Sequence, residues 1–361
     1  MDGEIIHIFV YNVGTKFDKN QIRGLLKNPD DFSRYEYSKP TPEEIPTFTV
    51  PSIFNLKDET VPNGKGQLNF KIQASVYTTG CFSIRIRHSF SGASPEFLSA
   101  LTFSNEIKTH IGALAEMERA KVEKSLEKIK RIYPNSNTEM YRIYHIESDR
   151  KDILKKNAKL IAGLLIDEEE EGKLDDAYVD EVMRNQISYN ATDIVLVGWE
   201  SVVMIDPSET YEHELLITEI ANVQLLQMRI SHNSVGDKIK DTEKIMSEVY
   251  SPEIKNSMKQ LKSLNGSLGE FYDGTKDVVT SVNDTISGFG EWYLLRLYGL
   301  FEDVFKIDEW RRSLQNDLEI IDKRRSFVSN MINDNRSENL EIIVIALIVL
   351  EIVLEVLFLL K

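Results

Sequence analysis

Apolar and polar residues alternate with the period of a strand through residues 1–90. Glu4–Tyr11, Gln67–Tyr77 and Cys81–Phe90 each carry this alternation, which predicts three strands, the last two joined through Thr78-Thr79-Gly80. In the third, Phe82, Ile84, Ile86 and His88 share one face, and Ser83, Arg85 and Arg87 share the other. Asp18–Leu26 predicts a short helix. Lys39–Pro51 holds four prolines and no period, so it reads as a loop.

The period then lengthens. Residues 94–132 predict a long helix opened by Ser94-Pro95-Glu96, an N-cap serine followed by proline and a carboxylate. Met140–Ile146 and Leu160–Ile166 are apolar runs, and Asp175–Arg184 reads as helix. Asp193–Asp206 has two apolar bursts around Gly198-Trp199-Glu200, the pattern of a tight hairpin of buried strands. From Glu209 onward only helix is expected. Leu215, Leu216, Ile220, Val223, Leu226 and Ile230 form a stripe at helical spacing. Residues 262–290, rich in glycine, serine and threonine, read as a loop or weak helix between two arms.

The second arm has the clearest period. One seam position recurs as Leu300, Ile307, Leu314, Ile321 and Val328. The other recurs as Val304, Arg311, Leu318, Arg325 and Ile332. Such heptads predict a coiled-coil-like arm packed on a partner helix, either the helix over 210–248 folded back or the same arm of another copy. The chain closes with Ile342–Leu360, where 17 of 19 side chains are apolar and only Glu351 and Glu355 interrupt. As a helix this span is ~28 Å long at ~1.5 Å per residue, near the ~30 Å of a bilayer core. It predicts a transmembrane anchor. The fold class expected is therefore α+β: an N-terminal mixed α/β body over 1–207, a helical arm over 208–339 and one transmembrane helix over 340–361.

Composition narrows the functions. The net charge of −15 argues against general nucleic-acid binding, which needs clustered lysine and arginine. The one cysteine, Cys81, excludes an internal disulfide and a cysteine-based metal site. MDGEIIHIFVYNVG has neither the basic start of a signal peptide nor the composition of a transit peptide. The expected location is a membrane, single-pass, with the body in the cytoplasm. Lys323, Arg324, Arg325 and Arg336 before the apolar run fit that orientation.

Several segments together resemble a known family: the DIVLVGWESVVMID hairpin, the helix LLITEIANVQLLQMRI, the arm LQNDLEIIDKRRSFVSNMINDNRSENLE and the closing IIVIALIVLEIVLEVL. The chain is similar to the required-for-meiotic-nuclear-division family, from about residue 190 to the end. Leu340 and Glu341 match that family's motif, Ile342 replaces its aromatic, and Glu351 takes the place of its internal acid. The resemblance implies a C-terminal anchor and brings no catalytic residues.

Candidate chemistry is sparse. Glu351 and Glu355 lie one helical turn apart; within a membrane they would mark a helix contact or an ion or proton path, and the third reading is a segment that lies shallow or tilted, or ends near Glu351. The run Asp167–Glu171 with Asp175-Asp176 lacks the alternating order of a calcium loop. Glu212-His213-Glu214 has Ile217 where a second histidine would be needed for a metalloprotease. Gly288-Phe289-Gly290 lacks the rest of a phosphate loop. No cofactor, no metal and no enzymatic activity are expected. The expected function is a membrane-anchored scaffold or assembly factor that self-associates through the arm or holds a protein partner. The alternative is a CorA-like ion-transport protein, although the chain has one candidate span and no Gly-Met-Asn loop.

Overall fold

The alternating segments pair into one mixed sheet. Strand β1 (Gly3–Asn12) lies between β6 (Cys81–Phe90) and β7 (Glu139–Ile146), antiparallel to both. Beyond β6 come β5 (Gly66–Val76), β3 (Ser52–Asn55) and β2 (Ser33–Arg34), and β4 (Glu59–Asn63) pairs with β5. Beyond β7 come β10 (Ser201–Ile205), β9 (Ile194–Val197) and β8 (Gln186–Ile187). Among the described strands, β7 and β10 alone run parallel. The computed structural model describes residues 1–27, 32–34, 50–63, 66–207, 211–249, 257–287 and 291–359. Most of the expected loop over Lys39–Pro51 and the Gly288-Phe289-Gly290 triplet lie outside these residues.

The β5–β6 turn needs Gly80, at φ +88° and so close to Thr15 that a Cβ would stand 2.5 Å from its carbonyl oxygen. The Asp193–Asp206 hairpin folds as β9 and β10. At its turn, Gly198 would put a Cβ 2.5 Å from the Leu165 carbonyl oxygen, so only glycine fits there.

Helices cover both faces. The expected helix over 94–132 is two: α2 (Pro95–Phe103) and α3 (Asn105–Glu127). Ser104 divides them because its backbone leaves the helical region and its hydroxyl caps the Ile107 amide. The Asp18–Leu26 segment contains α1 (Lys19–Arg23), held by a capping box between Asp18 and Gln21. With α4 (Arg150–Ile166), α2 and α3 cover the face of Phe82, Ile84 and Ile86. Short α5 (Asp176–Val182) follows.

The opposite face meets α6 (Glu212–Val249), whose residues from Leu215 to Met228 are buried on every side. A helix buried all round must satisfy each polar group internally. Thr218 and Asn222 donate to the helix's own carbonyls at Glu214 and Thr218, 2.8 Å each. Tyr298 of α8 (Trp292–Phe305) donates to Gln224. Glu219 accepts from Ser83 and from Arg85, whose Nε lies 3.0 Å away, and both partners of the ion pair are buried.

The chain divides into two compact units: Met1–Ile230 with Val282–Glu309, and Ser231–Ser281 with Trp310–Lys361. These limits differ from expected boundaries at 207 and 339. The second unit contains the end of α6, most of α7 (Ser257–Ser287) and nearly all of α9 (Ile307–Leu359). The segment 262–290, expected to be loop or weak helix, is helical through Ser287. Leu261, Leu264, Leu268, Thr275 and Val279 are buried at helical spacing, and that burial outweighs the ~1 kcal/mol cost of each glycine.

The expected transmembrane helix, with the anchor and single-pass location it implied, is not supported. Among the described residues no helix is long and apolar enough to cross a membrane. The apolar run continues α9, and its described side chains extend from Ile342 to Leu354. Acidic side chains interrupt it, with Glu341 just before the run and Glu351 within it, both exposed. The ion-transport alternative loses its span by the same finding.

Glu219→Gln would leave the Arg85 charge buried without a counter-charge. It is expected to cost ~3–5 kcal/mol, read as a lower urea midpoint, and the double change Arg85→Met with Glu219→Leu should recover most of that loss. A cost under ~1 kcal/mol would mean that the pair does not hold α6 on the sheet.

Candidate functional site

The helix-covered face α2–α3–α4 is not uniformly apolar. Its core splits into two clusters. One joins β5 and β6 to α3, and the other joins β7, β9 and β10 to α2 and α4. Polar residues stand on the central strands beside both. His7, at the middle of β1, is opposite Ile86 of β6 and opposite Arg142 of β7. His88, two residues along β6 from Ile86, stands on the same face. The two imidazoles stack with centroids 5.9 Å apart and planes 19° apart. Phe70 of β5 meets His88 edge-on at 5.5 Å.

Arg142 is 2% exposed. Its Nη2 lies 2.7 Å from Asp167 Oδ1, and its Nη1 donates to the Tyr144 hydroxyl at 3.4 Å. Its Nε, like Nδ1 of His88, has no hydrogen-bond partner among the described residues. Asp167 caps the C-terminus of α4 in the left-handed region, φ 58°. Lys108 of α3 reaches the same carboxylate oxygen at 3.4 Å. Lys108 and Asp167 are 37% and 32% exposed, so the cluster runs from buried strands to a solvent-facing rim.

Burial holds both histidines neutral. It pushes His7 well below the usual imidazole range, with the charges of Arg142 and Lys108 adding to the effect, and it pushes His88 down to about 4. With both rings neutral, the charges of the cluster are those of Arg142, Lys108 and Asp167, and the Glu200 carboxylate also acts on Arg142.

The alternation of β6 had already placed His88 among inward-facing apolar residues. An arginine inside the apolar run Met140–Ile146 was the second available sign. Neither showed that β1 would bring His7 between them. Elsewhere in this unit, Glu212-His213-Glu214 opens α6, and burial pushes the Glu214 carboxyl up to about 7. Among the described residues no group of three or more histidine, cysteine, aspartate or glutamate side chains could hold a metal ion, the Asp167–Glu171 run included.

The candidate seam is distributed over both units. In α8, Leu300 and Val304 are half-buried, while Leu294, Leu297, Phe301 and Phe305 face inward. The helix stops at Lys306, at φ 55°, and α9 starts afresh with buried Ile307, so the arm is not one helix from Leu300. Along α9, Leu314, Leu318, Ile321 and Val328 are buried and Ile332 is half-buried.

The basic stretch turns partly inward within the second unit. Arg324 donates to the Ile239 carbonyl at 3.0 Å and to Glu243 at 2.7 Å. The Arg325 guanidinium lies over Gly269, 3.4 Å from where a Cβ would stand. Lys323 pairs with Glu319 at 4.0 Å, and Arg336 is exposed. These contacts hold Arg324 and Arg325 within the second unit. Glu351 is exposed; the side chain of Glu355 lies outside the described residues.

Residues 2–212 match the family described as Uncharacterized protein MJ0711, N-terminal domain. The chain belongs to that family. It is 22% identical over 244 residues to Uncharacterized protein MJ0711 of Methanocaldococcus jannaschii, covering 67% of this chain and 73% of that protein. No solved structure matches. The family match covers the sheet and the polar cluster on it, and ends at the first residue of α6. It supports a family without an assigned function, and it displaces the required-for-meiotic-nuclear-division resemblance, whose motifs lay mainly in the C-terminal helices.

Histidines whose folded pKa is lowered take up protons more readily when the chain unfolds. Their contribution to stability is complete above pH ~6.5 and is lost as the pH falls toward 4. For His88 this amounts to on the order of 3 kcal/mol. Urea titrations between pH 7 and pH 4 should therefore show a steeper acid loss for the native chain than for His88→Leu. Parallel curves would contradict the neutral, buried imidazole.

Proposed function

We propose that the protein is a non-enzymatic scaffold whose copies associate through the C-terminal part of α9. The observation that carries this reading is the exposure of that helix. From Leu340 to Leu354 every large apolar side chain is between 48% and 64% exposed. A helix apolar on all sides is stable in water only when other apolar surface covers it.

A second copy fits that requirement in several respects. The heptad positions of α9 continue as Ile342 and Val349 on one seam and Ala346 and Val353 on the other. β-Branched residues at such positions suit paired helices. Glu351 falls off both seams, so a carboxylate need not be buried between the helices. The preceding surface mixes both signs, with Asp322, Lys323, Asp334 and Arg336, and does not repel its own kind as a single-sign face would.

Sedimentation equilibrium of the full chain should show a discrete oligomer. A chain ending at Asn339 should sediment as a monomer, and so should the full-length double change Val349→Asp with Val353→Asp. A monomeric full chain, or an oligomer that survives both alterations, would refute self-association through this helix.

A further inference from the structure

We propose that the polar cluster between α3 and α4 is a binding site for a small oxyanion of the phosphate class, anchored by Arg142, with Lys108 at its rim and His7 and His88 on its inner wall. This rests on no part of the self-association reading.

Three features of the geometry support it. The first is an imbalance of buried hydrogen-bonding groups. A guanidinium taken from water needs its N–H groups satisfied, because each orphan carries an uncompensated desolvation penalty. Arg142 spends its two terminal nitrogens on Asp167 and Tyr144 and leaves Nε unmade, and His88 leaves Nδ1 unmade. An oxyanion has enough lone pairs to accept from several such donors at once, and planar guanidinium groups match its geometry.

The second feature is charge. Two cationic side chains, Arg142 and Lys108, share the single carboxylate oxygen Asp167 Oδ1. The Glu200 carboxylate acts on Arg142 only through space, so each cation has an incomplete contact partner, which an oxyanion can complete. A phosphate monoanion or dianion suits this site better than a neutral ligand, and a cation would meet repulsion from both.

The third is the gradient of exposure across the cluster. The rim pair Lys108 and Asp167 is about one-third exposed, whereas Arg142, His7 and His88 are 2%, 6% and 2% exposed. The apolar core on this face is divided into two clusters, and His88 and Arg142 stand on strands of different clusters with His7 between them. Neutral imidazoles can each donate one N–H without adding a competing acceptor charge.

The same donors would hold free inorganic phosphate or the phosphate group of a monoester. Two titrations of the full chain separate these sources: calorimetry with inorganic phosphate and with glycerol 3-phosphate, each against chloride at matched ionic strength and pH. Saturable binding of either is expected, and the tighter ligand names the source. Lys108→Gln, a rim change that leaves the core intact, should weaken binding roughly 10- to 100-fold, as should Arg142→Lys if that variant folds. Arg324→Gln in the second unit should leave the affinity unchanged. Absence of binding beyond chloride for both ligands would overturn the proposal, as would full affinity in Lys108→Gln or an equal loss in Arg324→Gln.

Discussion

The arrangement of the first unit depends on one buried ion pair. Arg85 projects from β6 on the face opposite Ile84 and Ile86, where no water remains to solvate it. Only a fixed counter-charge makes that position tolerable. Glu219 supplies it, and because Ser83 donates to the same carboxylate, the helix carrying Glu219 has one rotation and one height on the sheet. Apolar burial is non-directional and sets no single register of α6. The ion pair selects one, and the remaining polar groups of the helix then find their partners, Gln224 with Tyr298 and Asn222 with its own helix.

The two faces of the sheet treat polar residues differently. Against α6 the charges are paired and each named polar group has a partner. Against α3 and α4 the polar side chains are partly satisfied: two neutral imidazoles, a guanidinium with one orphan nitrogen, and one carboxylate shared between two cations. Burial penalises charge on both faces, and on the α6 face the Ser75 and Tyr211 hydroxyls are likewise buried without a partner among the described residues. A buried cluster that retains unmade donors within a family-matched domain is a more informative feature than any acidic run in the chain.

The second unit follows another rule. Its helices are held by a narrow seam, and where the seam residues Leu314, Ile321 and Val328 face other helices they are buried. Beyond them α9 keeps the heptad and loses its cover. The same period that packs the first part of the helix leaves the later part open, which is why length and hydropathy alone suggested a membrane. Among the described residues, the helix is too short in apolar surface for that reading.

Local pattern determined the elements. Alternation placed β1, β5, β6 and the β9–β10 hairpin, and Ser94-Pro95 placed the start of α2, because strand and cap signals depend on neighbouring residues alone. The heptad signal located the buried side of α9 for the same reason. Interruptions were less legible. The break at Ser104 and the left-handed Lys306 depend on what each following helix packs against, and α7 forms despite its glycines because neighbouring helices bury its stripe. The sites were least legible. Arg85 and Glu219 are 134 residues apart, and His7, His88, Arg142 and Lys108 come from four different elements. No spacing along the chain records such a meeting. Strand order and helix placement created it, since pairing β1 between β6 and β7 is what brings those side chains into one low-dielectric space.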